Sequence, residues 1–146
     1  MIVFDKDPFG LYASWICHRL QYAPTTHFRT LSRVEGAQIR GVVGYDNWNQ
    51  ASCMMHVCGD GRWLTRELLF AAFNYPFTIC GLNCVFGLVP SGNEEALRFD
   101  RHLGFKDVVE LKDAHPDGSM FLLRMDRADC RWLEPIHHEG KRAISV

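Results

Sequence analysis

A chain of 146 residues with a formal net charge of −1 has room for one domain and no global field to draw it to nucleic acid or an anionic membrane. Its 47% hydrophobic and 23% charged content is that of a globular protein. At this length about two thirds of the unfolded surface can be buried without help from disulfides or metal. The start, Met1 to Pro8, carries acids and no long apolar stretch, so neither a signal peptide nor a membrane span is expected. The six cysteines (Cys17, Cys53, Cys58, Cys80, Cys84 and Cys130) are then expected as reduced thiols in a cytoplasmic chain, packed mostly in the core.

Asp7 and Pro8 are suited to start a helix, and Leu11, Trp15, Ile16 and Leu20 give it an apolar stripe that Pro24 stops. Phe28 to Val34 alternate loosely, and Glu35-Gly36 turns the chain. Ile39, Gly41, Val43 and Tyr45 alternate with Arg40, Val42 and Gly44, which predicts a strand. A polar turn at Asp46 to Asn49 leads into a second strand, Ala51 to Val57, so the two form a hairpin. After Gly59-Asp60-Gly61 a helix runs through Trp63 to about Asn74, where Pro76 ends it. From Leu68 on it is apolar on most faces and should be largely buried.

Cys84 to Val89 is a near-continuous apolar run, as expected of an interior strand, and Pro90 ends it. Ser91 and Glu94 are spaced as a capping box, and Ala96, Phe99 and Leu103 share one helical face. Gly104 supplies a left-handed stop, with Phe105 folding back on the last turn. Val108 to Lys112 and Ser119 to Met125 read as strands joined by the turn formers of Asp113 to Gly118. No repeat or linker divides the chain, so a single domain over 1–133 is expected, followed by a polar, poorly ordered tail over 134–146. The order of elements is that of an α/β (α+β) domain with a mixed sheet.

The segment Val89-Pro90-Ser91-Gly92-Asn93-Glu94-Glu95-Ala96-Leu97-Arg98-Phe99-Asp100-Arg101-His102-Leu103-Gly104-Phe105 resembles the Asn-helix-Gly-Phe segment of GNAT acetyltransferases. The stretch Arg124 to Leu133 is similar to members often found in bacteriophage genomes. With the upstream hairpin and Trp63 to Leu69, the resemblance spans Gln38 to Leu133. It implies a twisted, mostly antiparallel sheet flanked by helices, whose central strands splay so that the pantetheine arm of acetyl-CoA inserts like a further strand. The splayed pair would be Ala51–Val57 and Cys84–Val89, with Val57 main chain bonding the arm. The pyrophosphate would sit at the next helix N-terminus, among Arg62, Trp63, Leu64, Thr65 and Arg66.

The chain departs from the family here, because Gly59 and Gly61 fall earlier than the glycines of the usual phosphate loop. Thr65 offers a hydroxyl donor and Arg62 or Arg66 a charge-assisted contact. The plain alternative is a helix N-terminus with solvated arginines. Asn93 likewise either contacts the cosubstrate and braces the last strands or simply caps its helix.

The resemblance implies direct transfer of an acetyl group to a primary amine acceptor, with a base on the amine and an acid on the leaving thiolate. Many members carry a Tyr seven residues after the Asn, and that position is Asp100 here. A carboxylate suits the acid role only if its pKa is strongly raised. His56 is the candidate base, against the ordinary reading of a packed strand residue, with Asp46 and Asp60 weaker candidates. Holding amine and thioester together could supply much of the rate without a dedicated acid.

Three rival readings remain. Cys53, His56, Cys58, Cys80 and Cys84 have the chemistry of zinc ligands, but their spacing lacks a second knuckle, so no metal is expected. Cys53 as a nucleophile with His56 fails because three residues apart on a strand they face opposite ways. A non-catalytic GNAT-like module that binds acyl-CoA or a protein is the serious alternative, with exposed Trp48, Trp63 and Trp132 at an interface. The acceptor side falls to Leu11–Tyr22 and Asp46–Gln50, where His18, Arg19, Tyr45 and Asn47 are too generic to name a small-molecule or protein amine. Sheet-edge homodimers are plausible in such folds.

Overall fold

The computed structural model of the chain describes residues 1–133; the tail 134–146, with His137 and His138, lies outside them. Seven strands form one sheet in the order β1-β2-β3-β4-β5-β7-β6. They are β1 (Ile2–Asp5), β2 (Arg29–Glu35), β3 (Gln38–Asp46), β4 (Ser52–Gly59), β5 (Cys84–Pro90), β6 (Lys106–His115) and β7 (Gly118–Asp126). Every neighbouring pair is antiparallel except β4 and β5. Helices α1 (Leu11–Leu20), α2 (Arg66–Asn74) and α3 (Glu94–Leu103) complete the fold, which is the mixed, mostly antiparallel architecture that the resemblance implies.

Strand alternation divides the core between the two faces of the sheet. Met55, Val85, Val89 and Leu123 pack with α2 and α3 in the larger cluster. Val42 packs with Ala13, Ile16 and Cys17 of α1 in the smaller one. Cys17, Cys53, Cys84 and Cys130 are buried thiols, as their apolar settings suggest. No helix of the described residues is long and apolar enough to cross a membrane.

Several boundaries differ from the sequence reading. β1 went unread because four residues carry too short a pattern of their own, and their strand pairing is with β2 alone. α1 begins at Leu11 instead of Asp7. Asp7 Oδ1 accepts the Phe9 N–H at 2.9 Å and so closes a turn ahead of the helix. The helix ends on Gln21 in the left-handed region (φ 52°), before Pro24 acts. α2 ends at Asn74 as expected, but the chain does not leave its helical path at Pro76, which lies in a π-helical turn, Tyr75–Ile79. Proline has no N–H for the Ala72 carbonyl, and the Tyr45 hydroxyl donates to that oxygen instead, at 2.5 Å. Ser91 and Glu94 form no capping box: Asn93 Oδ1 accepts the Ala96 N–H at 3.1 Å, while Ser91 Oγ accepts from Ser119. Gly104 does close α3 with φ 116°. β6 runs on to His115, which narrows the last turn to Pro116-Asp117.

Trp63 and Trp132 are buried, which removes them from any interface. Trp132 donates its indole N–H to the Leu103 carbonyl at 2.8 Å. Trp63 lies flat on the end of the β3–β4 hairpin, and Gly41 and Gly59 are the reason it fits. A Cβ at Gly59 would lie 2.1 Å from the indole, and one at Gly41 2.2 Å. Overpacking of this kind costs roughly 1–3 kcal/mol, so Gly59→Ala should lower urea-unfolding stability by that amount. In a Trp63→Ala background the same change should cost under about 0.5 kcal/mol; equal costs in both backgrounds would refute the packing account.

Candidate active site

The parallel pairing of β4 with β5 covers only Ser52↔Cys84, Cys53↔Val85 and Met54↔Phe86. Beyond it the strands diverge, so Met55 to Gly59 and Gly87 to Pro90 present main chain to each other without a shared ladder. A cavity of about 580 Å³ occupies this opening and passes between the two faces of the sheet. Val57, Leu88 and Val89 form its sides, α3 contributes Asn93, Ala96 and Asp100, and the end of α1 contributes Arg19 to Tyr22.

His56 enters on the α1 face, beside the rings of Tyr22 and Phe28. Its Nε2 lies 2.8 Å from Asp46 Oδ1, and the Tyr22 hydroxyl donates to Asp46 Oδ2. Asp46 is fully buried. Burial, the largest single influence, pushes its carboxyl up; hydrogen bonds from His56 and Tyr22 outweigh it and hold the group below the usual carboxylate range. Burial first, and then the bond to Asp46, raises Tyr22 above the ordinary phenol range, so Tyr22 remains a donor. An ionised Asp46 can only accept, which puts the ring hydrogen of His56 on Nε2 and leaves Nδ1 as its free lone pair.

Asp100 enters from the opposite face. Its Oδ2 lies over Gly87, where a Cβ would stand only 3.2 Å away. Burial pushes its carboxyl up to about 7, against the opposing effect of the charge that His56 carries when protonated. The requirement stated for an acid at this position is therefore met by the environment that the fold creates.

The structure thus gathers His56, Val57, Asn93 and Asp100 on one cavity, but not the residues read as a phosphate site. None of Arg62, Trp63, Leu64, Thr65 and Arg66 lines it. Trp63 and Leu64 are core side chains, and Trp63 stacks on Phe99 of α3 with centroids 6.0 Å apart. Gly59 is therefore explained by indole packing instead of phosphate approach. Thr65 is the N-cap of α2, its Oγ1 accepting the Leu68 N–H at 3.1 Å. Arg33, which the sequence did not single out, steadies the loop by donating to the Arg62 and Trp63 carbonyls, each at 3.2 Å.

Asp60 is bound to Arg19 at 2.6 Å and lies off the cavity, which removes it as a base. Asp46 stands behind His56, not at the cavity wall. Of the acceptor-side residues named from sequence, Arg19 and Asn47 line the cavity, whereas His18 does not and Tyr45 is buried. Tyr22 was missed because nothing local marks it: the left-handed Gln21 redirects the chain and delivers the ring to Asp46. Cys53 lies in the α2-face core while Cys58 packs toward α1, so strand alternation separates them and parts Cys53 from His56.

A seven-stranded sheet of this order, opened between its parallel pair, is the fold of the GNAT N-acetyltransferases. No protein-family model matches the chain, and no curated protein sequence matches it. Solved structures do. A single-substitution variant of the spermidine N-acetyltransferase SpeG from Vibrio cholerae superposes with a TM-score of 0.60 at 19% identity, covering 73% of this chain and 67% of that one. The Campylobacter jejuni N-acetyltransferase PseH, in complex with acetyl coenzyme A, gives 0.56 at 18% identity, covering 79% and 77%. A dodecameric spermidine N-acetyltransferase from Vibrio cholerae gives 0.57 at 19%, covering 69% and 66%. At these identities the likeness is one of fold.

A carboxyl whose folded-state value lies above its unfolded value favours folding while protonated. The contribution of Asp100 is therefore fully present below about pH 4 and is lost as pH rises through about 7. Asp100→Asn should match wild type in urea at pH 4 and exceed it at pH 8 by on the order of 1–3 kcal/mol. A difference independent of pH would show that burial does not hold this proton.

Proposed function

We propose that this chain transfers an acetyl group from acetyl-CoA to a primary amine by direct transfer. The observation that carries the reading is the placement of His56 and Asp100 on opposite faces of the opening between β4 and β5. Main chain without a partner strand on either side of the opening suits an extended arm entering there. Bound acetyl-CoA would supply the acetyl group as a thioester.

On the α1 face, His56 takes the acceptor's proton at Nδ1, held in that tautomer by Asp46, which Tyr22 braces in turn. On the α3 face, Asp100 delivers its proton to the departing sulfur. Base and acid work at separate ends of one cavity and need no exchange between them. Arg62, Thr65 and Arg66 at the start of α2 are the proposed partners of the pyrophosphate, while Trp63 and Leu64 offer main chain only. Val57 main chain and Asn93 are proposed to meet the arm.

Free cysteines fit the cytoplasmic location that belongs to the same reading. Kinship with phage-encoded members and a homodimer through the exposed edge strand β6 belong to it as well. Sedimentation velocity of wild type against Val109→Lys tests the dimer, which predicts dissociation by the added charge. One observation favours the non-catalytic alternative: the Trp63–Phe99 stack joins the loop before α2 to α3, and the loop does not reach the cavity.

Calorimetry should give micromolar acetyl-CoA binding, weakened about tenfold in Arg66→Ala through loss of a charge-assisted bond. His56→Ala should lower kcat about 100-fold or more with acetyl-CoA affinity kept. Asp100→Asn should lower kcat similarly and abolish the decline of rate above about pH 7. Failure of folded wild type to bind acetyl-CoA would sink the proposal and leave an interaction module.

A further inference from the structure

The α1-face wall of the cavity has a composition that narrows the acceptor. Leu20, Met54, Leu88 and Met120 line it, and Leu20 and Leu88 stand 41% and 39% exposed. Its ionisable groups are Arg19 from α1, Tyr22 just beyond it, His56 from β4 and His115 from β6, with neutral Gln21 and Asn47 between. None of these is an anion at neutral pH when Tyr22 is held as a donor to Asp46.

Among the described residues Asp100 is the only carboxylate on the cavity, and it belongs to the α3 face. Two acids behind the wall, Asp46 and Asp60, are already engaged. Asp46 is fully buried with its oxygens taken by His56 and Tyr22, and Asp60 is bound to Arg19 at 2.6 Å. One ammonium can lose its proton to His56 and react. A second or third ammonium on the same molecule would lie against apolar side chains or Arg19, with no anion of the described residues on that wall to replace its water.

We propose that the acceptor is a monoamine carried on an apolar body, and that polyamines are poor acceptors. This rests on the acetyltransferase reading above and departs from the spermidine acetylation named for the fold neighbours. The cavity, about 580 Å³, is of the size that holds small molecules. Discrimination comes from what the wall omits, since a polycation meets unpaired desolvation where an alkyl or aryl group meets Leu20, Leu88 and Met120.

The test compares hexylamine and phenethylamine with spermidine at saturating acetyl-CoA, reading acetylated product by mass spectrometry. The expected kcat/KM is about tenfold or more in favour of a monoamine. Equal or preferred use of spermidine overturns the proposal. Leu88→Glu places a carboxylate at an exposed wall position and should narrow the ratio about tenfold, with Met120→Glu as the parallel variant on the neighbouring strand. An unchanged ratio in both folded variants also overturns it. Calorimetry with acetyl-CoA separates the two levels. Binding with turnover of spermidine but of neither monoamine refutes the acceptor class, whereas absence of binding, or binding with no amine turned over, refutes the acetyltransferase reading itself.

Discussion

Three residue pairs hold β4 against β5, from Ser52↔Cys84 to Met54↔Phe86, and the pairing then stops. A ladder ended early leaves backbone donors and acceptors facing a gap, which is costly unless water or a ligand meets them. The gap persists because each strand is fastened on its other side. β4 is paired with β3 from Gly59 back to Met54, and β5 with β7 along its whole length. The helices then cover the two faces, and the opening between the strands becomes a passage from one face to the other. Placement of the remaining site residues follows from that passage.

Alternation along β4 sends His56 toward α1 and its neighbours Met55 and Val57 toward the α2 core. α3 crosses the other face, and Gly87 leaves room for a carboxyl to approach the strand directly. The two ionisable groups therefore sit in unlike environments. His56 is oriented by a buried acid kept ionised by its hydrogen bonds, while Asp100 has no such partner and desolvation pushes its carboxyl up to about 7. Opposite treatment of two carboxyls by one fold gives the proposed base and the proposed acid unlike settings.

Trp63 shows how a local pattern can serve packing where it looked like ligand chemistry. Gly59 and Gly61 next to a helix start suggest a phosphate loop, yet Gly59 and Gly41 make space for an indole that stacks on Phe99. A glycine marks close approach by something, and sequence does not tell whether that is a phosphate or a ring.

Elements with strong internal periodicity were legible in advance: β3, β4, β5, the apolar core of α2 and the Gly104 stop of α3. Each depends on contacts between residues a few positions apart, which the order of side chains already contains. β1 was hidden because its pairing comes entirely from β2, and the π-helical turn through Pro76 because the missing donor is replaced by Tyr45, far away in the chain. The site divides the same way. His56 and Asp100 were named from positions that the resemblance marks, with Asp46 as a rival base. That Asp46 instead orients His56 beside Tyr22, and that the Asp100 carboxyl is desolvated and raised, follow from elements the chain brings together only by folding. Residue types and short-range spacing settle in sequence; desolvation and orientation depend on which distant segments share a space, so only tertiary structure decides them.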